Sequence, residues 1–371
     1  MIKLPPPNPN LTTTDVLEIM RASGKLLHRW GQAVDGTPIL SVQTGGNRQP
    51  PIFVTAGAHS HEPAGVLAAL ALLQRLETEH EVHILPLRDP MGFAGANHCL
   101  SVAAGVIVEV TDHRDALAYL QAHAQPLSSQ GDLALFRLGD VGFLWNVPTP
   151  GSEGSRPMAG YVQELARREP AVTRPLWGKP VMLLLTMPDV EGVGELQRCY
   201  HQLFDPTGEW LHLNRLFGRS EAPPEVAAVD RLMQQVRPGL SCDLHEGAEP
   251  GFWLSVPRPE GDKERTLAMA HAFLGAVQAR AYPITTYEEW VAIYKITDQQ
   301  RVGPEPRLPG LLWTNPLRAG QGPNLGSYAS RWGIAIDTEA PIVQPLAMRV
   351  DGITHGIEAA VQVWEETLDR V

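Results

Sequence analysis

The chain has 371 residues, 43% of them hydrophobic, with 30 basic against 41 acidic side chains and a net charge of −11. That apolar share supports a sizeable core and excludes general disorder, and an acidic chain without a Lys/Arg cluster excludes a surface built to bind nucleic acid. No run approaches the roughly 18 apolar residues of a membrane span and the opening MIKLPPPNPNLTTTD lacks the apolar stretch of a secretory signal, so the expected setting is the cytoplasm and the expected partner a small molecule or peptide.

In chain order, the Pro/Asn-rich opening reads as a surface arm, followed by a helix over 12–23, where a Thr or Asp cap precedes helically spaced Val16, Leu17, Ile19 and Met20. Strands are expected at 37–45 and 50–57, a buried-face helix at 63–76 and a further strand at 81–88. Strand, helix, strand in that order predicts a right-handed parallel crossover. From about 97 to 195 the pattern is irregular, mixing apolar VAAGVIVEVTD and VMLLLTMP with loop-like VPTPGSEGSRPMAG, and reads as an insertion or subdomain. The regular rhythm then returns with a helix at 223–236, a strand at 239–247, a long amphipathic helix at 263–281 and an apolar strand at 332–341. The Pro/Gly-rich 301–324 reads as a long ordered loop near a functional face. The expected architecture is α/β, a mixed and largely parallel twisted sheet covered by helices on both faces, in one catalytic domain spanning 1–371.

Cys99, Cys199 and Cys242 are odd in number and widely spaced, which fits reduced structural thiols rather than a disulfide framework or CxxC zinc spacing. The chemistry concentrates in FVTAGAHSHEPAG, where His59 and Glu62 stand three apart just after a predicted strand. Chain leaving a parallel sheet at that edge presents its side chains where open α/β sheets bind ligands. Imidazole and carboxylate are zinc donors, and a catalytic zinc takes three protein ligands. His245, at the end of the predicted strand LSCDLHEG, is the candidate third, with Asp243 on the same side under two-residue alternation.

Four motifs in this order, GAHSHEPAG, LHLNRLFG, CDLHEG and IAIDTEAP, resemble the zinc carboxypeptidase family, which includes carboxypeptidase A-like enzymes and the aspartoacylase and succinylglutamate desuccinylase branch. The resemblance implies one zinc per chain held by His59, Glu62 and His245, with Glu339 as general base toward a metal-activated water. It implies that Asn214 and Arg215 bind the substrate's free carboxylate and that Arg198 polarises the scissile carbonyl. Tyr328, near Glu339 in sequence, either reaches the substrate or packs its helix. The sequence departs from the family at LRDPMGFAGANH, which leaves Arg88 and Asp89 either structural or pocket-lining. It departs again at His212, where relatives carry an Asp that orients a zinc-bound histidine. Either Asp243 or a neutral His212 then supplies that contact. His61, His80, His83, His98, His201 and His271 are read as surface or packed residues. The expected activity is a metallocarboxypeptidase acting on short peptides. The alternatives are an amidoacylase acting on N-acyl amino acids and a binding protein that has lost catalysis.

Overall fold

The structure is a computed structural model that describes residues 8–146, 156–257, 262–294, 302–314 and 323–368. The arm at 1–7, most of the VPTPGSEGSRPMAG segment and parts of the 301–324 loop lie outside the described residues.

Fifteen strands are described. Those of the first sheet are Leu26–Gln32 (β1), Pro38–Gly45 (β2), Arg48–Ala56 (β3) and His80–Leu85 (β4), then, later in the chain, Leu240–Gly247 (β11), Trp253–Pro257 (β12), Val302–Pro304 (β13), Leu311–Thr314 (β14) and Ile334–Pro341 (β15). Between the two groups run Gln125–Gln130 (β5), Leu133–Leu138 (β6), Val141–Asn146 (β7), Pro180–Met187 (β8), Gly194–Phe204 (β9) and Trp210–His212 (β10).

The first sheet has the order β1-β2-β4-β3-β11-β15-β12-β14-β13. Its centre, β4-β3-β11-β15, is parallel, and antiparallel pairs appear at β1-β2-β4, β15-β12 and β14-β13. The expected crossover is present: β3, the helix Pro63–Arg75 and β4 form a parallel unit. Side chains on the central strands alternate between two buried faces, as a covered parallel sheet requires. Ile52, Val54, Cys242, Leu244 and Ile336 pack on one face with the helices Pro63–Arg75, Lys263–Gln278 and Leu346–Leu368. Phe53 and Ala335 pack on the other with Val226, Val229 and Leu232 of the helix Pro224–Val236.

On that second face the apolar character stops part-way along each strand. β11 continues Ser241, Asp243, His245 and β15 continues Ala335, Asp337, Glu339, paired Asp243 to Asp337 and His245 to Glu339. Polar residues buried on central strands cost free energy without partners, so this change of character marks the site.

The irregular middle segment forms a second sheet, ordered β10-β9-β8-β7-β6-β5 and antiparallel except between β7 and β8. This sheet runs past 195, because β9 pairs onto β8 and β10 onto β9. Local alternation in 197–204 reads the same whichever sheet receives it, so sequence did not place that edge. The segment 301–324, expected as loop, supplies the short edge strands β13 and β14. Cys99, Cys199 and Cys242 are buried free thiols. Among the described residues no helix is long and apolar enough to cross a membrane.

Candidate metal centre

Three strand ends meet at the site. β3 ends at Ala56, and Gly57 takes a positive φ of 65°, a conformation that glycine adopts without steric cost, to turn the chain toward His59. Glu62 precedes a helix opened by Pro63, whose missing N–H is one that the first turn leaves unpaired in any case. Gly65 lets this helix lie directly on β11: a Cβ there would stand 2.6 Å from the Leu244 carbonyl oxygen. The ligating turn is thereby pressed against the strand that carries His245.

Donor atoms of His59, Glu62 and His245 all lie within 4.8 Å of one another. His59 Nδ1 is 2.6 Å from Glu62 Oε1, and His245 Nδ1 is 2.8 Å from Glu62 Oε2. Both rings therefore turn the same nitrogen inward. Both outer nitrogens have neighbours, His59 Nε2 lying 3.0 Å from His212 Nδ1 and His245 Nε2 2.9 Å from Asp243 Oδ2. Two imidazoles and a carboxylate converging through inner atoms, with outer N–H groups held by acceptors, is the donor set and support that zinc takes. The residues fit the ion.

Burial alone would raise the Glu62 carboxyl, but His59 and His245 more than offset it and hold it well below the usual range. Burial likewise lowers His245, yet Asp243 and Glu62 outweigh it and leave the imidazole well above its ordinary value. Asp243 is clamped by Arg88, whose Nη2 donates to both carboxylate oxygens at 2.6 and 2.7 Å. Arg88, undecided from sequence, is thus part of the support for His245.

Glu339 is half-buried beside His245. Its carboxyl is raised well above the ordinary value, first by burial and then by the charges of Glu62, Glu249 and Asp337, with His245 opposing. Asp337 is pushed up to about 7 by burial and by neighbouring Asp243.

The other predicted residues separate. Asn214 is buried, with Nδ2 3.1 Å from His245 Nε2, while its Oδ1 accepts from the Leu325 amide at 3.0 Å, so its side chain is spent inside the site's support. Arg215 is half-buried in the same turn and donates to the Asn214 carbonyl at 2.7 Å.

Two further residues have their polar groups engaged outside the ligand group. The Arg198 guanidinium lies 3.8 Å over the Phe93 ring and donates to the carbonyls of Phe93, Gln197 and Leu11, which ties it to the N-terminal segment. Tyr328 is 1% exposed, its hydroxyl donates to Asp230, and its ring packs on Phe217 and Trp332. It is helix packing.

Sequence reasoning passed over two contributors. Tyr200, on β9, stands edge-on to His59 at 5.3 Å and to His61 at 4.7 Å, so the second sheet walls the site. Nothing local distinguishes that tyrosine. Glu246 follows a ligand but faces the opposite side of the sheet, where it accepts from the Ala64 amide at 2.6 Å and pairs with buried Arg349. Alternation along LHEG gives its direction, whereas its partner is 103 positions away.

Bovine thrombin-activatable fibrinolysis inhibitor, solved in complex with a tick carboxypeptidase inhibitor, overlays on 97% of this chain and 98% of its own at a TM-score of 0.50 and 8% identity. The chain has a carboxypeptidase-like α/β fold. Lower-scoring overlays include a Shewanella amazonensis protein provisionally described as a metallopeptidase, at a TM-score of 0.48 and 15% identity over 96% of this chain and 92% of that one. A metallo-carboxypeptidase from Burkholderia cenocepacia follows at 0.45 and 11%, over 96% and 69%. No family model and no curated protein sequence matches the chain. At these identities the carboxypeptidase-like likeness is one of fold, and chemistry has to be argued from the site.

Proposed function

We propose that the protein is a zinc-dependent hydrolase of amide bonds, a carboxypeptidase acting on short peptides with a free C-terminal carboxylate. The observation that carries this reading is the convergence of His59, Glu62 and His245 at the ends of parallel strands, with Glu339 in register beside His245. Zinc, when bound, supplies a Lewis acid that polarises a carbonyl and brings the pKa of water to about 7. Glu339 takes the proton of the attacking water and returns it to the leaving amine, a role open to a carboxylate in register beside His245 and outside the ligand group. Arg215 holds the free carboxylate through its planar fork. Asp243 keeps His245 in place, Arg88 and Asn214 hold Asp243, and Tyr200 limits approach of solvent from the side of the second sheet.

The deciding experiment incubates the zinc-loaded protein with dipeptides, their C-terminal amides and N-acyl amino acids. Release of the C-terminal residue from free dipeptides only is expected. Turnover confined to N-acyl amino acids makes it an amidoacylase, and no turnover of any class overturns the hydrolase reading. Arg215→Lys is expected to weaken the free substrates and leave the amides unchanged.

A further inference from the structure

With a metal on Nδ1, the contacts of His59 leave one arrangement of protons. The nitrogen turned inward, Nδ1, is the one available to a metal, so the ring proton sits on Nε2, 3.0 Å from His212 Nδ1. That contact is a hydrogen bond only if His212 Nδ1 is bare, which places the His212 proton on its Nε2. We propose that His212 is the positioning residue for His59, an uncharged imidazole that accepts the His59 Nε2–H and fixes the tautomer and plane of the ligand. The inference rests on the metal reading above.

The two ligating histidines are then supported differently. His245 donates to Asp243, a carboxylate that Arg88 holds ionised, whereas His59 donates to a neutral ring. A carboxylate acceptor makes a ligating imidazole a stronger donor to the metal than a neutral one does. Geometry encloses His59 as well: His212 meets it edge-on at 4.9 Å and Tyr200 at 5.3 Å. Both come from the second sheet, since His212 ends β10, paired to Gln202 of β9. The same short turn carries Asn214, whose Nδ2 donates at 3.4 Å to Asp243 Oδ2, the acceptor behind His245. One edge of the second sheet therefore supplies a support to each histidine of the centre.

Asparagine and aspartate carry an oxygen the same number of bonds from the backbone as histidine Nδ1, so His212→Asn keeps a neutral acceptor, His212→Asp makes it anionic and His212→Leu removes it. Zinc affinity is measured for each holoprotein by competition with a chromogenic chelator at neutral pH, with melts of the metal-free forms to check folding. The Leu variant is expected to bind zinc about 10–100-fold more weakly, the Asn variant to stay near wild type and the Asp variant to bind more tightly than wild type. Leu binding as well as wild type, or Asn falling as far as Leu, overturns the proposal while leaving the metal site standing. If Leu does not fold, an Asp variant no tighter than Asn overturns it. No zinc uptake by the wild type overturns the metal reading and this one with it.

Discussion

Under the proposed function, Glu339 and Tyr328, near one another in sequence, divide into chemistry and packing. Glu339 stands beside the metal-ligand candidates but is outside the ligand group, so Glu339→Gln is expected to lower kcat by about 10²–10⁴-fold while zinc content stays at wild type. Metal analysis beside steady-state kinetics checks both halves, and loss of zinc would make Glu339 a ligand. Tyr328 spends its hydroxyl on Asp230 within a packed cluster. Tyr328→Phe is therefore expected to leave KM unchanged and to cost about 1.5–3 kcal/mol of stability by urea unfolding, as for a hydrogen bond to a charged group. A raised KM with unchanged stability would return Tyr328 to the substrate pocket. Sequence could not separate these roles, because both residues lie in apolar stretches close to the same strand and only their neighbours differ.

Among elements, the start of the helix Pro63–Arg75 depends on a partner at the far end of the chain. Glu246 accepts the Ala64 amide and is neutralised by Arg349, which also donates to the Glu191 carbonyl at 2.7 Å, and neither Glu246 nor Arg349 has solvent-exposed side-chain surface. Breaking one half of a buried pair leaves a charge without compensation, so Arg349→Met is expected to cost about 3–5 kcal/mol and to weaken zinc binding by loosening the turn that carries Glu62. The Arg349→Met, Glu246→Met double variant is expected to regain much of the stability, and equal loss in single and double variants would remove the pairing argument. The helix Leu346–Leu368 that presents Arg349 was absent from the sequence reading. Its buried positions Leu346, Val350, Ile353, Ile357, Val361 and Trp364 keep helical spacing, so its existence was legible although its contact with Glu246 was not.

At the scale of the whole molecule, acid stability draws on Glu305, which joins the β13–β14 edge to the start of the helix Lys263–Gln278. Burial disfavours its charge, but Trp313 Nε1, donating at 3.0 Å, and Arg307, with Lys263 at 3.4 Å, bring its carboxyl down to about 2. A folded value below the ordinary 4.5 means that this contribution is complete above about pH 4.5 and is lost as pH falls toward 2. The stability gap between wild type and Glu305→Gln in urea is therefore expected to be widest near neutrality and to close in acid. A gap independent of pH would assign the loss to packing.

Sequence by itself determined the first sheet's central strands, the crossover helix and the residues of the metal group, because period-two alternation and the placement of His, Glu and Asp at strand ends are local signals. Zinc donors carry their chemistry in their identity, so His59, Glu62 and His245 could be named before their meeting was seen. Tertiary structure alone decided which side chain stands behind each histidine, what the polar groups of Arg198 and Tyr328 bond, and that the middle segment lines the site. Those outcomes depend on contacts between residues distant in the chain, such as His59 with His212 and Glu246 with Arg349. No periodicity encodes such pairs: a side chain's type fixes what it can bond, and only the packing of whole elements fixes what it meets.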